Sequence, residues 1–137
     1  MTVVAYLAHP LGAVDANWGI DRGDNVANSI DWVKFLRYVT TWAICYPSFL
    51  HVAAVDDVFH HAKSFTDQLE ILSRCDLVVA VGGLMSPHMR YEVEHARSRQ
   101  ALPVIDLLHL GRRPPWQDQG RTISDIARRC AAAGIQC

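Results

Sequence analysis

Glu92 stands six residues after Ser86 in the stretch SPHMRYEVEHA (86–96), which follows the apolar run DLVVAVGGLM. A carboxylate one turn into a helix that starts at the tip of a buried strand is placed to act on a ligand lying at that tip. As a nucleophile it would replace one difficult displacement by two easier ones. Ser86 is a preferred N-cap and Pro87 suits the first helical position, so the helix start is legible in the residues themselves. Its free N–H groups and positive dipole favour phosphate or another anion. From that start Glu92 lies in the second turn, roughly 8 Å along the axis at 1.5 Å per residue. The same residues also suit a purely structural use, in which Ser86 only caps and Glu92 meets His95 three residues on.

Other chemistries fit the residues less well. Glu92 and His95 form a lone E-x-x-H, whereas a dimetal site needs two such motifs and further carboxylates; His60 and His61 are adjacent and point apart. No metal and no cofactor are expected. GLMSP is not a G-x-S-x-G elbow, because Leu84 and His88 occupy the glycine positions around Ser86. The net charge is −1 and the basic residues are scattered, with arginine pairs only at 112–113 and 128–129. That leaves no electrostatic footprint for a nucleic acid polymer. Trp18, Trp32 and Trp42 read as core or interface residues rather than base-stacking groups.

The elements that must hold Glu92 alternate between strand-like and helix-like segments. TVVAYLAH (2–9) reads as a buried first strand, and a long loop, PLGAVDANWGIDRGD, follows it. Loops of that length in compact domains are usually functional. Residues 25–46 carry apolar positions at helical spacing, with Asp24 or Asn25 as N-cap and Pro47 as stop. FLHVAAV (49–55) is a weaker strand, and a helix is expected from about Asp56 to Arg74. DLVVAVGG (76–83) is the clearest strand, a continuous apolar run buried on both faces. The Ser86 helix, a strand at 102–110 and a closing helix from Thr122 complete the chain. The expectation is one α/β domain over residues 1–137, a Rossmann-like (flavodoxin-like) three-layer sandwich with a mainly parallel sheet of about four to five strands. Ligands of such sheets bind outside the carboxyl ends of the strands. AHPLG and VGGLMS meet there, making His9, Gly12, Gly82 and Gly83 candidate ligand contacts.

Over roughly residues 60–100 the chain resembles the nucleoside 2-deoxyribosyltransferase superfamily, which includes the nucleoside 5′-monophosphate N-glycosidases. The matching residues are Asp67, DLVVA at 76–80, Ser86, Glu92, Val93 and Ala96, together with YLAHP at 6–10. The resemblance implies that Glu92 attacks C1′ of the sugar to form a covalent glycosyl–enzyme, that Asp67 protonates the departing base, and that Tyr6 orients the nucleophile. Serine at position 86, where nucleoside transferases carry aspartate, implies a nucleoside 5′-monophosphate whose phosphate lies on the helix start, with His88 and Arg90 adding charge. The chain departs from the family at these last two positions, where small residues are usual. The side chains either bind the phosphate or close the pocket, leaving a non-catalytic nucleotide-binding or sensor protein. The VGG run also resembles the loop of lysine-decarboxylase-like phosphoribohydrolases, but Gly83 to Glu92 is too long and the threonine of that pattern is missing.

The 25–46 segment is apolar around much of its circumference, with Val26, Ile30, Val33, Phe35, Leu36, Val39, Trp42 and Ile44 off any narrow stripe. A second subunit is the expected cover for whatever the sheet leaves bare. The resemblance likewise implies a homodimer or higher homo-oligomer. Charged residues interrupt the longest apolar stretch, so no membrane span is expected. Four cysteines without C-x-x-C spacing suggest a reducing cytoplasm.

Overall fold

The computed structural model describes residues 2–10, 22–47 and 61–135. In chain order it contains β1 (Val4–Ala8), α1 (Arg22–Val39), β2 (Ala43–Cys45), α2 (His61–Leu72), β3 (Leu77–Ala80), α3 (Pro87–Arg99), β4 (Val104–Asp106) and α4 (Gln119–Ala132). Short 3-10 turns at Leu108–Leu110 and Trp116–Asp118 join β4 to α4. The four strands form one all-parallel sheet in the order β2-β1-β3-β4. This is the expected α/β, Rossmann-like layering.

Side chains alternate across the central strands, as the period of a strand demands. Ala5, Leu7, Leu77, Val79 and Ile105 face the layer of α1 and α4, where they meet Trp32, Phe35, Leu36, Ile126 and Cys130. Tyr6, Ala8, Val78 and Ala80 face the opposite layer, against Leu72, Met89, Val93 and Ala96 of α2 and α3. Both faces of β1 and β3 are therefore dry, which explains the unbroken apolar run at 77–81. Burying side chains of this size contributes roughly 1.5–3 kcal/mol each.

The first helix departs from expectation at both ends. It starts at Arg22, so Asp24 and Asn25 lie inside its first turn, and it stops at Val39, well before Pro47. Thr40 ends it: its hydroxyl donates to the Leu36 carbonyl at 2.6 Å and accepts from Trp42 N at 3.1 Å, turning the chain into β2. Ala43–Cys45, expected as helix, is the second strand and pairs with Val4–Tyr6. Trp42 and Ile44 therefore do not belong to the helix surface; of the remaining apolar positions Phe35, Leu36 and Val39 are buried in the sheet-facing core beside Trp32, while Val26, Ile30 and Val33 are half-buried. The strand expected at 49–55 and the first residues of the helix expected from Asp56 lie outside the described residues.

The β3 strand and the Ser86 helix lie where they were expected, while the last strand is shorter, at Val104–Asp106, and the final helix starts earlier, at Gln119. Among the described residues no helix is long and apolar enough to cross a membrane. Cys45 and Cys75 are free thiols, but Cys130 is disulfide-bonded, so cysteine spacing alone does not argue a reducing compartment.

Leu7 is fully buried on a central strand whereas Tyr38 is 68% exposed on α1. Leu7→Ala is expected to lower the unfolding free energy by about 2–5 kcal/mol and Tyr38→Ala by less than about 1 kcal/mol, read from urea midpoints at constant m.

Candidate functional site

Ser86 caps α3 as its type predicts: Met89 N donates to Ser86 Oγ at 3.2 Å, and Pro87 fills the first helical position. The helix then buries Met89, Glu92, Val93 and Ala96, one stripe at i, i+3, i+4 and i+7. Glu92 thus occupies a position on the core-facing stripe that an apolar residue would ordinarily take, and it is 1% exposed. A carboxylate there needs a donor. Tyr6, equally buried on β1 and facing the same layer, supplies it: its hydroxyl donates to Glu92 Oε2. The other carboxylate oxygen lies 3.9 Å from His88 Nε2, one helical turn back, and that nitrogen also lies 3.3 Å from Gln68 Oε1 on α2. Glu92 is therefore held between a strand hydroxyl and an imidazole.

The structure separates His88 from Arg90. His88 shares the Glu92 side of α3 and covers the carboxylate, whereas Arg90, two residues from Glu92 and so on the far side of the turn, is exposed. Asp67 is half-buried on α2, next to the buried Gln68. Ser86 is fully buried and its oxygen already accepts from Met89 N, while Pro87 has no N–H, so this helix start offers an anion fewer free donors than its sequence suggests.

The other candidates gather where β1 and β3 end. Gly82 and Gly83 have φ of +104° and +81°. A Cβ on Gly82 would come within 2.8 Å of Pro10 Cδ, and one on Gly83 within 2.8 Å of Arg112 N. The glycines are required both by conformation and by this close approach. His9 is 4% exposed; its Nδ1–H donates to the Pro10 carbonyl at 2.6 Å, which leaves Nε2 to accept from Asn28 Nδ2 at 2.9 Å. Burial pushes the His9 pKa down to about 4, with the nearby Arg112 charge acting in the same direction against the Pro10 hydrogen bond. Gly12 lies outside the described residues.

Gln68, Asn25, Asn28 and Arg112 were not expected at a site from the sequence, where Asn25 is read only as a helix cap and Arg112 only as half of a charge pair. Among the described residues no group of three or more His, Cys, Asp or Glu could hold a metal ion. A separate cleft of about 620 Å³ lies along α4, lined by His109, Arg121, Asp125, Arg128 and Arg129 among others. Its central carboxylate, Asp125, is already engaged by Arg128, Arg129 and His109. No family model, curated protein or solved structure matches the chain.

His9 has an ordinary pKa of 6.5 when unfolded and about 4 when folded, so between these values the unfolded chain binds the extra proton. Its contribution to stability is complete above about pH 6.5 and is lost as the pH falls toward 4, up to ~3 kcal/mol in all. Between pH 7 and about 4.5 the wild type is expected to lose about 2–3 kcal/mol more than His9→Gln, measured by urea unfolding at each pH.

Proposed function

We propose that this protein cleaves the N-glycosidic bond of a nucleoside 5′-monophosphate, by hydrolysis or base exchange, through a glycosyl–enzyme formed on Glu92. The observation that carries the reading is a buried glutamate on the apolar stripe of α3, hydrogen-bonded by the Tyr6 hydroxyl from the central strand. A carboxylate placed there costs stability that an apolar residue would not, and chemistry accounts for the cost. Glu92 attacks C1′ as the C1′–N bond breaks, through an oxocarbenium-like transition state. Tyr6 fixes one carboxylate oxygen so that the other faces the sugar. Asp67 gives the proton that the departing base requires. The resulting ester is then opened by water or by a second base.

A non-catalytic nucleotide-binding protein of the same fold is the second reading. It is favoured by His88, which lies over Glu92 where relatives of the resembled family keep a small residue. A homo-oligomer is part of the proposal, supported by the exposed Tyr38 and Ile123 beside a groove of about 250 Å³ between α1 and α4. A cytoplasmic setting also belongs to it; the free Cys45 and Cys75 favour that setting and the bonded Cys130 stands against it.

The test is release of free base from a panel of nucleosides and 5′-monophosphates, followed by chromatography. Glu92→Gln keeps the shape and the acceptor for Tyr6 but removes the attacking charge, so base release is expected to fall by about three orders of magnitude or more with little change in stability. Tyr6→Phe is expected to lower it by about 10- to 100-fold, the worth of one hydrogen bond to a charged group. Undiminished release by Glu92→Gln overturns the mechanism. Nucleotide binding without any base release by the wild type favours the second reading, and the His88→Gly variant then asks whether the covering imidazole is what silences Glu92.

A further inference from the structure

A second polar cluster sits on the opposite layer of the sheet from the Tyr6–Glu92 pair. Asn28 Nδ2 donates both to His9 Nε2 at 2.9 Å and to the Arg112 carbonyl at 2.7 Å, and Trp32 Nε1 donates to that same carbonyl at 2.7 Å. Asn25, Asn28 and Trp32 recur at i, i+3 and i+7, so they share one face of α1, the face laid against the Arg112 segment. Two groups in this cluster have nothing to bond among the described residues. The Asn25 side-chain nitrogen is buried without a partner in a residue only 1% exposed, and Arg112 Nε and Nη2 are both buried without one.

Such donors are costly to leave unmet: about 1–3 kcal/mol for each neutral group and more for a charged one. The described neighbours do not supply an acceptor. His9 has one ring nitrogen on Pro10 and the other on Asn28, and its burial and the Arg112 charge keep it neutral rather than a competing cation. No ion pair to Arg112 exists among the described residues, and Asp24, in the same helical turn as Asn25, is exposed. The first turn of α1 adds the positive end of an 18-residue helix dipole. The cluster also lies at the end of β1, where the chain crosses to β2 on one side while β3 lies on the other. That is the switch point at which open parallel sheets take their ligands.

We propose that Arg112 and Asn25 form an oxyanion cradle that receives the phosphate of a phosphomonoester at this edge of the sheet. The guanidinium offers a fork matched to two phosphate oxygens, and the Asn25 amide donates to a third. The cradle deepens the nucleotide reading by moving the phosphate from the Ser86 helix start to the first turn of α1, and it rests on that reading only for what the phosphate is attached to. Ser86, buried and occupied as a cap, is left to shape α3.

The full chain is titrated with ribose 5-phosphate, inorganic phosphate and ribose by calorimetry at constant ionic strength. The two phosphates are expected to bind and ribose is not. Arg112→Met keeps the carbonyl that Asn28 and Trp32 use and removes no hydrogen bond, so its melting temperature without phosphate is expected to be unchanged or higher. Its affinity for ribose 5-phosphate is expected to fall at least about tenfold, the loss of one charge-assisted contact. Asn25→Asp, nearly the same shape, is expected to weaken phosphate binding as much or more by repulsion, so the proposal does not depend on one variant folding. Phosphate binding that is absent in the wild type, or equal in wild type and both variants, overturns the cradle. Base release is scored separately. Binding lost in both variants with no base released from any nucleotide upholds the cradle and overturns the glycosidase; release with undiminished phosphate binding in the variants overturns the cradle alone.

Discussion

A tyrosine hydroxyl buried in the middle of a central strand has to find an acceptor, and much of this structure follows from the one Tyr6 finds. β1 is covered on both faces, so Tyr6 has no water to turn to, and its position in the strand sends it toward the α2 and α3 layer. Glu92, on the sheet-facing stripe of α3, meets it. The bond ties a strand near the start of the chain to a helix 86 residues later and fixes the rotation of α3 over the sheet. His88 and Gln68 extend the polar contacts to α2. Polar contacts thus join three elements inside a layer that is otherwise apolar.

The opposite layer solves a different problem with different chemistry. Trp32 is fully buried with its ring N–H paired, and the carbonyl it uses belongs to the connection after β4. Asn28 shares that carbonyl and passes its second hydrogen to His9. The sheet thus carries acidic polar chemistry on one side, against the middle of β1, and amide-rich chemistry on the other, near the end of β1.

What the sequence made legible was local. The apolar run at 77–80, the Ser86–Pro87 cap and the position of Glu92 after it are short-range patterns, and the structure has each of them. β2 was hidden because no glycine or proline interrupts 25–46, and the stop signal is Thr40, whose hydroxyl bonds the preceding turn and the following amide. Threonine carries that ability wherever it occurs, so its type alone does not announce a helix end. Asn25, Asn28 and Arg112 escaped for another reason. Asn28 and Arg112 meet across 84 residues, and no periodicity in either segment records a contact made only when the sheet is assembled. Gln68 was passed over because Asp67 beside it drew the chemical argument.

The way the connection after β4 is fastened has a consequence for motion. Segments bordering a ligand edge commonly belong to the least stable part of a fold and open as lids. Here the carbonyl of Arg112 receives two donors from α1, Trp116 Nε1 donates to Asp31 of that helix at 3.1 Å, and the Trp116 ring stands edge-on to Phe35 at 5.0 Å. To swing away, the segment would have to break polar and aromatic contacts with α1 together. Its opening is therefore coupled to that of the core itself, on the slow timescale of sub-global unfolding rather than that of loop motion. This side of the edge behaves as a fixed wall.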